Sequence, residues 1–452
     1  MREFKILSTT AILGYGFPQA SFEAGMAAKP DVIAVDAGST DPGPYYLGSG
    51  KSFTDRGAVK RDLEYMLEAG CKEGIPVIIG SAGGAGADSH LAWNVDIIKE
   101  IAREKGLTMK MAIISSQINT DMVLQSLEAG KLKAMTAAPV PNVDDIQNST
   151  NIVAQMGEAP FIKALDAGAN VIVAGRSYDP SVFAAPAIRA GFDAGLALHM
   201  GKILECAAIA ATPGSGSDCM LGILRDDHFE LQTLNPARKC TVTSVAAHTL
   251  YEKSSPTILP GPGGVLDLTQ TTFEQKGDAV VVRGSRFVPD DGANYVKLEG
   301  AKLIGHRTIS IAATCDPIMI SGFDHIIKEV KAKVADNFKN LKDFYLDFKI
   351  YGAGAGAPFY GDSTHAPREI GIVIEAIGST RGIADTICSF ARSTLLHFGY
   401  EGRKSTAGNL AFPFSPSDFG AGEVYAFSVY CLMEMEEGLF PIEYASCEKG
   451  AW

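Results

Sequence analysis

Short apolar runs alternate with segments of helical periodicity in the first half of the chain, and this alternation predicts a parallel sheet covered by helices. Residues 31–36 (DVIAVD) and 170–174 (NVIVA) are almost entirely apolar, as expected of strands that are covered on both faces. Apolar residues recur at helical spacing over 58–73, and 151–165 is also predicted to be helical. At least five strand–loop–helix units predict a doubly wound α/β domain over residues 1–212.

The pattern changes in the second half of the chain. Residues 213–306 are rich in Thr, Val, Pro and Gly, which predicts a β-rich connecting region with strands at 240–244 and 279–283. Beyond residue 307 the predicted elements follow the order βαββαβ, so we predict a ferredoxin-like α+β domain over 307–452. A glycine-rich loop at 351–358 is expected either to cap a pocket of the first domain or to be a surface connector.

A glycine-rich segment at residues 76–90, PVIIGSAGGAGADSH, is central to the functional interpretation. It contains a buried strand, a turn over 80–86 and the start of a helix near Asp88. Backbone N–H groups in such a turn, together with the helix dipole, can hold an anion. Alternatively, the turn needs glycine only for close packing. The segment matches neither a P-loop nor the dinucleotide-binding fingerprint.

Polar residues follow several of the predicted strands. Ligands bind beyond the carboxyl ends of strands in open parallel sheets, so we expect these side chains to share one pocket. A carboxylate inside an apolar helix, as at Glu205, is costly to bury unless it is paired or functional. The candidate catalytic residues are Asp36, Asp88, His90, Asp179 and Glu205. The candidate substrate-binding residues are Ser39, Ser81, Gly83, Gly84, Gly86, Gln117 and Arg176.

These residue types suit general acid–base chemistry on a small carboxylate. Arg176 and the glycine turn would hold the carboxylate, and loop N–H groups would stabilise an enolate-like charge. Structural alternatives exist, because Asp88 can cap the following helix and Arg176 can pair with Asp179. No cofactor is obligatory in this scheme. A divalent cation such as Mg²⁺ or Ca²⁺, held by Asp36 and Asp41 with Asp88 or His90, is an alternative.

Net charge and composition narrow the choice of partners and compartment. The formal net charge of −12 argues against a nucleic-acid or anionic-membrane surface, because phosphates would be repelled. The eight cysteines are scattered without metal-ligand spacing and are expected to be reduced. We find no signal-peptide pattern and no apolar window long enough for a membrane span, so a cytoplasmic location is expected.

Residues 168–205, with GANVIVAGRSYDPSVFAAPAIRAGFD followed by HMGKILECAAIA, and the run 231–316 carry a family resemblance. The chain resembles the acyclic terpene utilisation (AtuA) family over roughly residues 12–410. The resemblance implies a cytoplasmic protein of small-carboxylate or branched acyl-CoA catabolism. It also implies a small ferredoxin-like partner, which is fused at the C-terminus of longer members and which we expect here as a separate subunit.

The sequence therefore predicts a lyase (hydratase or dehydratase) or an isomerase that acts on a small hydroxy or branched carboxylate, or on its CoA thioester, in an oligomeric protein. One alternative is a non-catalytic scaffold or ligand-binding subunit of a two-subunit enzyme. A second alternative is a phosphate- or nucleotide-binding enzyme. The lyase predicts that the Asp and His side chains converge, the scaffold predicts that they are dispersed, and the nucleotide enzyme predicts a deep cleft.

Overall fold

The computed structural model describes residues 2–136, 138–251, 255–352 and 367–452, and the chain forms two compact units. The first unit contains Met1–Lys302 and Phe427–Trp452, and the second contains Leu303–Ala426. The sequence had divided the chain after residues 212 and 306. In the structure, the segment after residue 212 belongs to the first unit because its strands extend the same sheet. Most of the 351–358 loop lies outside the described residues, so its capping role stays a prediction.

Nineteen strands are found in the described parts of the chain. They are β1 (Glu3–Ser8), β2 (Val32–Asp36), β3 (Val77–Gly80), β4 (Met109–Ile114), β5 (Leu132–Ala134), β6 (Ser149–Ala154), β7 (Val171–Ala174), β8 (Met220–Arg225), β9 (Phe229–Thr233), β10 (Ile258–Gly261), β11 (Gly264–Asp267), β12 (Thr272–Lys276), β13 (Ala279–Arg283), β14 (Arg286–Pro289), β15 (Tyr295–Thr314), β16 (Phe344–Tyr351), β17 (Ile370–Gly378), β18 (Asp418–Glu434) and β19 (Ile442–Cys447).

Thirteen α-helices accompany these strands within the same described residues. They are α1 (Gln19–Ala27), α2 (Pro44–Ser49), α3 (Arg56–Glu73), α4 (Asp88–Lys105), α5 (Thr120–Glu128), α6 (Val143–Gln147), α7 (Ala159–Asp166), α8 (Asp179–Arg189), α9 (Ala194–Leu204), α10 (Val242–Leu250), α11 (Pro317–Ser321), α12 (Phe323–Asn337) and α13 (Arg381–Leu396). None of the described helices is both long enough and apolar enough to cross a lipid bilayer.

The main sheet of the first unit has the order β12-β13-β9-β8-β1-β2-β3-β7-β4-β19. Its five central strands, β1, β2, β3, β7 and β4, are parallel, and the strands that extend both edges are antiparallel. Alternate residues of β2 enter different cores, with Val32 and Ala34 on one face and Ile33 and Val35 on the other. Both faces are therefore covered by helices, which confirms the predicted doubly wound α/β architecture.

Two predicted elements of the first unit were wrong. Residues 149–154 form β6, which pairs with β15, and the helix predicted over 151–165 begins only at Ala159. Residues 240–244 are not a strand, because Thr241 caps α10 and Ser244 completes a reciprocal capping box. At residues 149–154, pairing with a strand distant in sequence overrides the helical pattern. At residues 240–244, local capping contacts override the pattern that had predicted a strand.

The second unit contains the end of β15, α11, α12, β16, β17, α13 and the start of β18. Its strands lie in the order β16-β17-β15-β18, and β17 is antiparallel to both of its neighbours. The helices and the sheet bury a separate core that includes Phe323, Val330, Ile372 and Ile387. This order and direction confirm the predicted ferredoxin-like α+β arrangement.

Candidate functional site

Three parallel strands of the main sheet end beside one another and place several predicted residues together. β2 ends at Asp36, which is paired with Gly80 at the end of β3. The next residue, Ser81, donates its backbone N–H to the Gly175 carbonyl after β7, at 3.0 Å. The Arg176 Nη1 group then reaches the Ser81 hydroxyl at 3.2 Å and Asp179 Oδ1 at 3.0 Å. The carboxyl edge of the sheet thus brings Asp36, Ser81, Arg176 and Asp179 together, as expected for this fold.

Arg176 forms a buried ion pair with a residue that the sequence did not indicate. Its Nε donates to Glu299 Oε2 of β15 at 2.8 Å, and the Glu299 side chain is fully buried. Lys297 Nζ lies 2.6 Å from the other oxygen of Glu299. Burial alone would raise the pKa of Glu299, but the charges of Arg176 and Lys297 lower it to about 2. Glu299 is therefore ionised and fixes the guanidinium in place.

A second buried ion pair lies at the end of α9. Lys202 and Glu205 are three residues apart and bond directly, and both side chains are less than one-tenth exposed. Burial would lower the pKa of Lys202, but the adjacent Glu205 carboxylate outweighs this and raises it. Glu205 was predicted as a site residue, whereas Lys202 was missed. The lysine–glutamate spacing on an apolar helix was the available signal.

Asp36 differs from Asp179, Glu205 and Glu299 because it forms no salt bridge with a cation in the described parts of the chain. Its residue is only 5% exposed, and Oδ1 has no hydrogen-bond partner among the described residues. Burial and the nearby Asp179 raise the pKa of Asp36 well above its ordinary value, while Arg176 opposes the shift. Burial without a paired cation thus favours the protonated form of Asp36, because charging it would add a buried anion.

We call Asp36, Ser81, Arg176, Asp179, Lys202, Glu205 and Glu299 the Asp36 cluster. Asp179 provides its opening to solvent, because 27% of this side chain is exposed while the side chain of Arg176 is only 3% exposed. Three clefts lie elsewhere: one of about 460 Å³ near Arg225, one of about 470 Å³ near Cys315 and one of about 570 Å³ near Phe338.

The predicted catalytic role of His90 is contradicted by its contacts. The Ala87 N–H donates to His90 Nδ1 at 3.2 Å, and Nε2 lies 2.8 Å from the Lys51 carbonyl, to which it donates. The ring is fully buried, and burial lowers the pKa of His90. Both nitrogens are thus engaged by the backbone, so His90 fixes the turn before α4 and is not available as a base.

Asp88 and Gln117 form a separate polar group. The Ser115 hydroxyl donates to Asp88 Oδ1 at 2.6 Å, and the Asp88 N–H donates to Gln117 Oε1 at 3.2 Å. Gln117 in turn donates to Asn151 Oδ1. Within the described residues, no hydrogen bond joins this group to the Asp36 cluster. The structure therefore gives no support to the expected roles of Asp88 and Gln117 in a shared site.

The glycine turn does not form the predicted anion cradle. The N–H groups of Gly84 and Gly86 donate to the carbonyls of Ser81 and Ala82, so they are already used within the turn. Gly86 has a φ of +72°, and a Cβ there would lie 2.1 Å from the backbone nitrogen of Arg176. A Cβ at Gly83 would lie 2.7 Å from the Cβ of His90. These glycines serve close packing, which was the alternative interpretation.

The remaining predictions concern Ser39 and a metal. The Ser39 hydroxyl accepts a hydrogen bond from the Asp41 N–H at 3.1 Å, which is a local turn contact. In the parts of the chain that are described, no three His, Cys, Asp or Glu side chains form a group that could hold a metal ion. The proposed set of Asp36, Asp41, Asp88 and His90 is therefore not assembled.

The fold and the cluster together define a doubly wound α/β protein with buried ion pairs and a buried carboxyl group of raised pKa at the carboxyl edge of its sheet. A family model described as "Acyclic terpene utilisation family protein AtuA" matches residues 54–218. This match confirms the resemblance over a segment that includes Ser81, Arg176, Asp179 and Glu205, whereas Asp36 and Glu299 lie outside it. No curated protein and no solved structure shows significant similarity to the chain.

Proposed function

We propose that this protein is a lyase, either a hydratase or a dehydratase, or an isomerase, and that it acts on a small hydroxy or branched carboxylate or on its CoA thioester. The observation that carries the proposal is the buried Asp36 carboxyl group, with its raised pKa and with an Oδ1 that has no partner among the described residues, beside Asp179, which pairs with Arg176. Two carboxyl groups whose surroundings favour opposite protonation states can act as an acid and a base.

In this proposal Asp179 is the base, because it lies at the opening of the cluster. It removes a proton from the carbon next to the substrate carbonyl, and Arg176 holds Asp179 in position. Asp36 gives its proton to the departing hydroxyl group, so that the carbon–oxygen bond breaks and water leaves. Hydration is the reverse of these steps, and isomerisation returns the proton to another carbon. Lys202 and Arg176 stabilise the enolate-like charge.

Hydrogen–deuterium exchange tests this proposal. Purified protein in D₂O is incubated with small hydroxy acids, branched acids, enoates and their CoA thioesters, and deuterium uptake is followed by NMR. We expect uptake next to the carbonyl group with the wild type. Asp36→Asn should reduce it by about 10²–10⁴-fold, the usual contribution of a general acid or base. Asp88→Asn is the matched control and should retain uptake.

Lack of uptake with every substrate would refute the enzymatic proposal, provided that the wild type is folded. Equal uptake by wild type and Asp36→Asn would refute the role of Asp36.

A non-catalytic scaffold or ligand-binding subunit is the second candidate. The favouring observation is that Arg176 and Lys202 are already paired with internal carboxylates. In this case the small ferredoxin-like partner would complete the activity, and the protein would be an oligomer with it. Co-purification with a small subunit, together with exchange that appears only in the complex, would favour this candidate. For the phosphate- or nucleotide-binding alternative the support is weaker, because the glycine turn uses the N–H groups of Gly84 and Gly86 in its own hydrogen bonds.

A further inference from the structure

Counted together with the neighbouring Lys297, the positive and negative charges of the Asp36 cluster balance when Asp36 is neutral. Arg176, Lys202 and Lys297 supply three positive charges, and Asp179, Glu205 and Glu299 supply three negative charges. Arg176 contacts two of these carboxylates at once, through Nε at 2.8 Å and Nη1 at 3.0 Å. Within the described residues of the cluster, each cation therefore already has an anionic partner.

We propose that the site accepts a neutral acyl group, such as a thioester, and excludes the free carboxylate of the same acid. This inference rests on the proposed function, because it chooses between the two substrate classes named there. The choice follows from charge, since a free carboxylate would bring an additional negative charge next to Asp179 and Glu205.

A free carboxylate that pairs with Nη1 of Arg176 must take the place of Asp179, and it cannot take the place of Glu299 at Nε, because Glu299 is fully buried and also held by Lys297. Asp179 would then lose its guanidinium partner while remaining near Asp36. An anion that leaves water without a counter-charge is strongly disfavoured. If Asp179 stayed in place, the substrate carboxylate would instead be the buried anion without a counter-charge, at a similar cost in free energy.

A neutral acyl group avoids both penalties. It adds no charge to the cluster, and Asp36, whose Oδ1 has no partner among the described residues, keeps its proton for the departing hydroxyl group. Negative charge then appears on the carbonyl oxygen only during proton removal, when the cations of the cluster, Arg176 and Lys202, can stabilise it. The cations therefore act on the transition state and not on the ground state, which is the condition for a rate gain.

Calorimetric binding to the whole protein tests the inference with three probes: a short branched carboxylate, its isosteric carboxamide and its N-acetylcysteamine thioester. We expect the wild type to bind the carboxamide and the thioester at least about tenfold more tightly than the carboxylate. Asp179→Asn frees Nη1 of Arg176 from a carboxylate, so it should reduce the ratio of the affinities for the neutral probes and the carboxylate by about tenfold. Asp88→Asn is the matched exposed control and should leave the preference unchanged.

Several results would overturn the inference: a wild type that binds the carboxylate as tightly as the carboxamide, no binding of either neutral probe, or a preference that Asp179→Asn does not change. The outcome is separable from that of the exchange experiment. Deuterium exchange accompanied by tighter carboxylate binding would refute only the substrate class. A preference for neutral probes without any exchange would refute only the proposed reaction.

Discussion

At the scale of single residues, the site depends on how buried charges are paired. Arg176 and Glu299 are both almost fully buried, and removal of one partner leaves the other uncompensated in a medium that solvates charge poorly. The exposed pair of Arg2 and Asp226 has the same chemistry, with a distance of 2.9 Å, but solvent screens it. The two pairs therefore differ in burial and not in type.

Glu299→Gln should lower the free energy of unfolding by about 3–5 kcal/mol, because it leaves the Arg176 charge with only Asp179 and weakens the contact of Lys297. Asp226→Asn is the control and should cost much less. Urea unfolding monitored by circular dichroism measures both variants. Equal losses in the two variants would show that burial of the pair does not contribute to stability.

At the scale of elements, the sequence predicted best those strands whose signal is local. β2 and β7 are buried on both faces and are apolar at almost every position, so their composition reveals them. β6 was missed because its partner, β15, lies more than a hundred residues further along the chain. The bond between Arg176 and Glu299 was missed for the same reason, since 123 positions separate the two residues.

The site was accordingly predictable only in part. Asp36, Arg176 and Asp179 follow strand ends, and the rule that parallel strands present ligands at their carboxyl edge places them together. The functions of His90 and of the glycine turn could not be predicted, because a histidine or glycine used for packing has the same sequence signature as one used for binding. Only the contacts of their nitrogen atoms separate the two cases.

Two glycines with similar backbone angles provide a test of the packing role of the turn. Gly86 and Gly74 have φ values of +72° and +69°, but a Cβ would clash with Arg176 only at Gly86 and would meet nothing within 4 Å at Gly74. Gly74→Ala should cost about 1 kcal/mol, from the left-handed backbone alone.

Gly86→Ala should cost clearly more than Gly74→Ala, since the turn must also move away from Arg176. Thermal unfolding of the two variants makes the comparison. Similar melting temperatures would contradict the close packing of the turn on the loop after β7 that carries Arg176.

At the scale of the whole molecule, buried histidines make stability depend on pH. Burial, with a contribution from Lys202, lowers the pKa of His248 to about 4 and that of His199 to about 3. In the unfolded chain both would titrate near their ordinary value of 6.5. The unfolded state thus binds more protons below that pH, so stability is complete above about 6.5 and declines as the pH falls towards 4.

The expected decline is at most about 1.4 kcal/mol per pH unit for each histidine that stays neutral in the fold. The raised pKa of Asp36 makes its contribution to the free energy of unfolding increase as the pH falls, which opposes the contribution of the histidines. A comparison of variants is therefore more informative than the pH dependence of the wild type alone. His248→Gln should flatten the decline between about pH 6.5 and 4. Denaturant unfolding at several pH values tests this, and an unchanged slope in His248→Gln would contradict it.

The central claim is that Asp36 is protonated at neutral pH among ionised neighbours. Difference infrared spectroscopy tests it most directly, because a protonated carboxyl group has a carbonyl stretching band that a carboxylate lacks. We predict that wild type minus Asp36→Asn at pH 7 shows this band and that it shifts in D₂O. A difference spectrum with only carboxylate bands would show that Asp36 is ionised, and it would contradict both the acid–base proposal and the charge balance of the cluster.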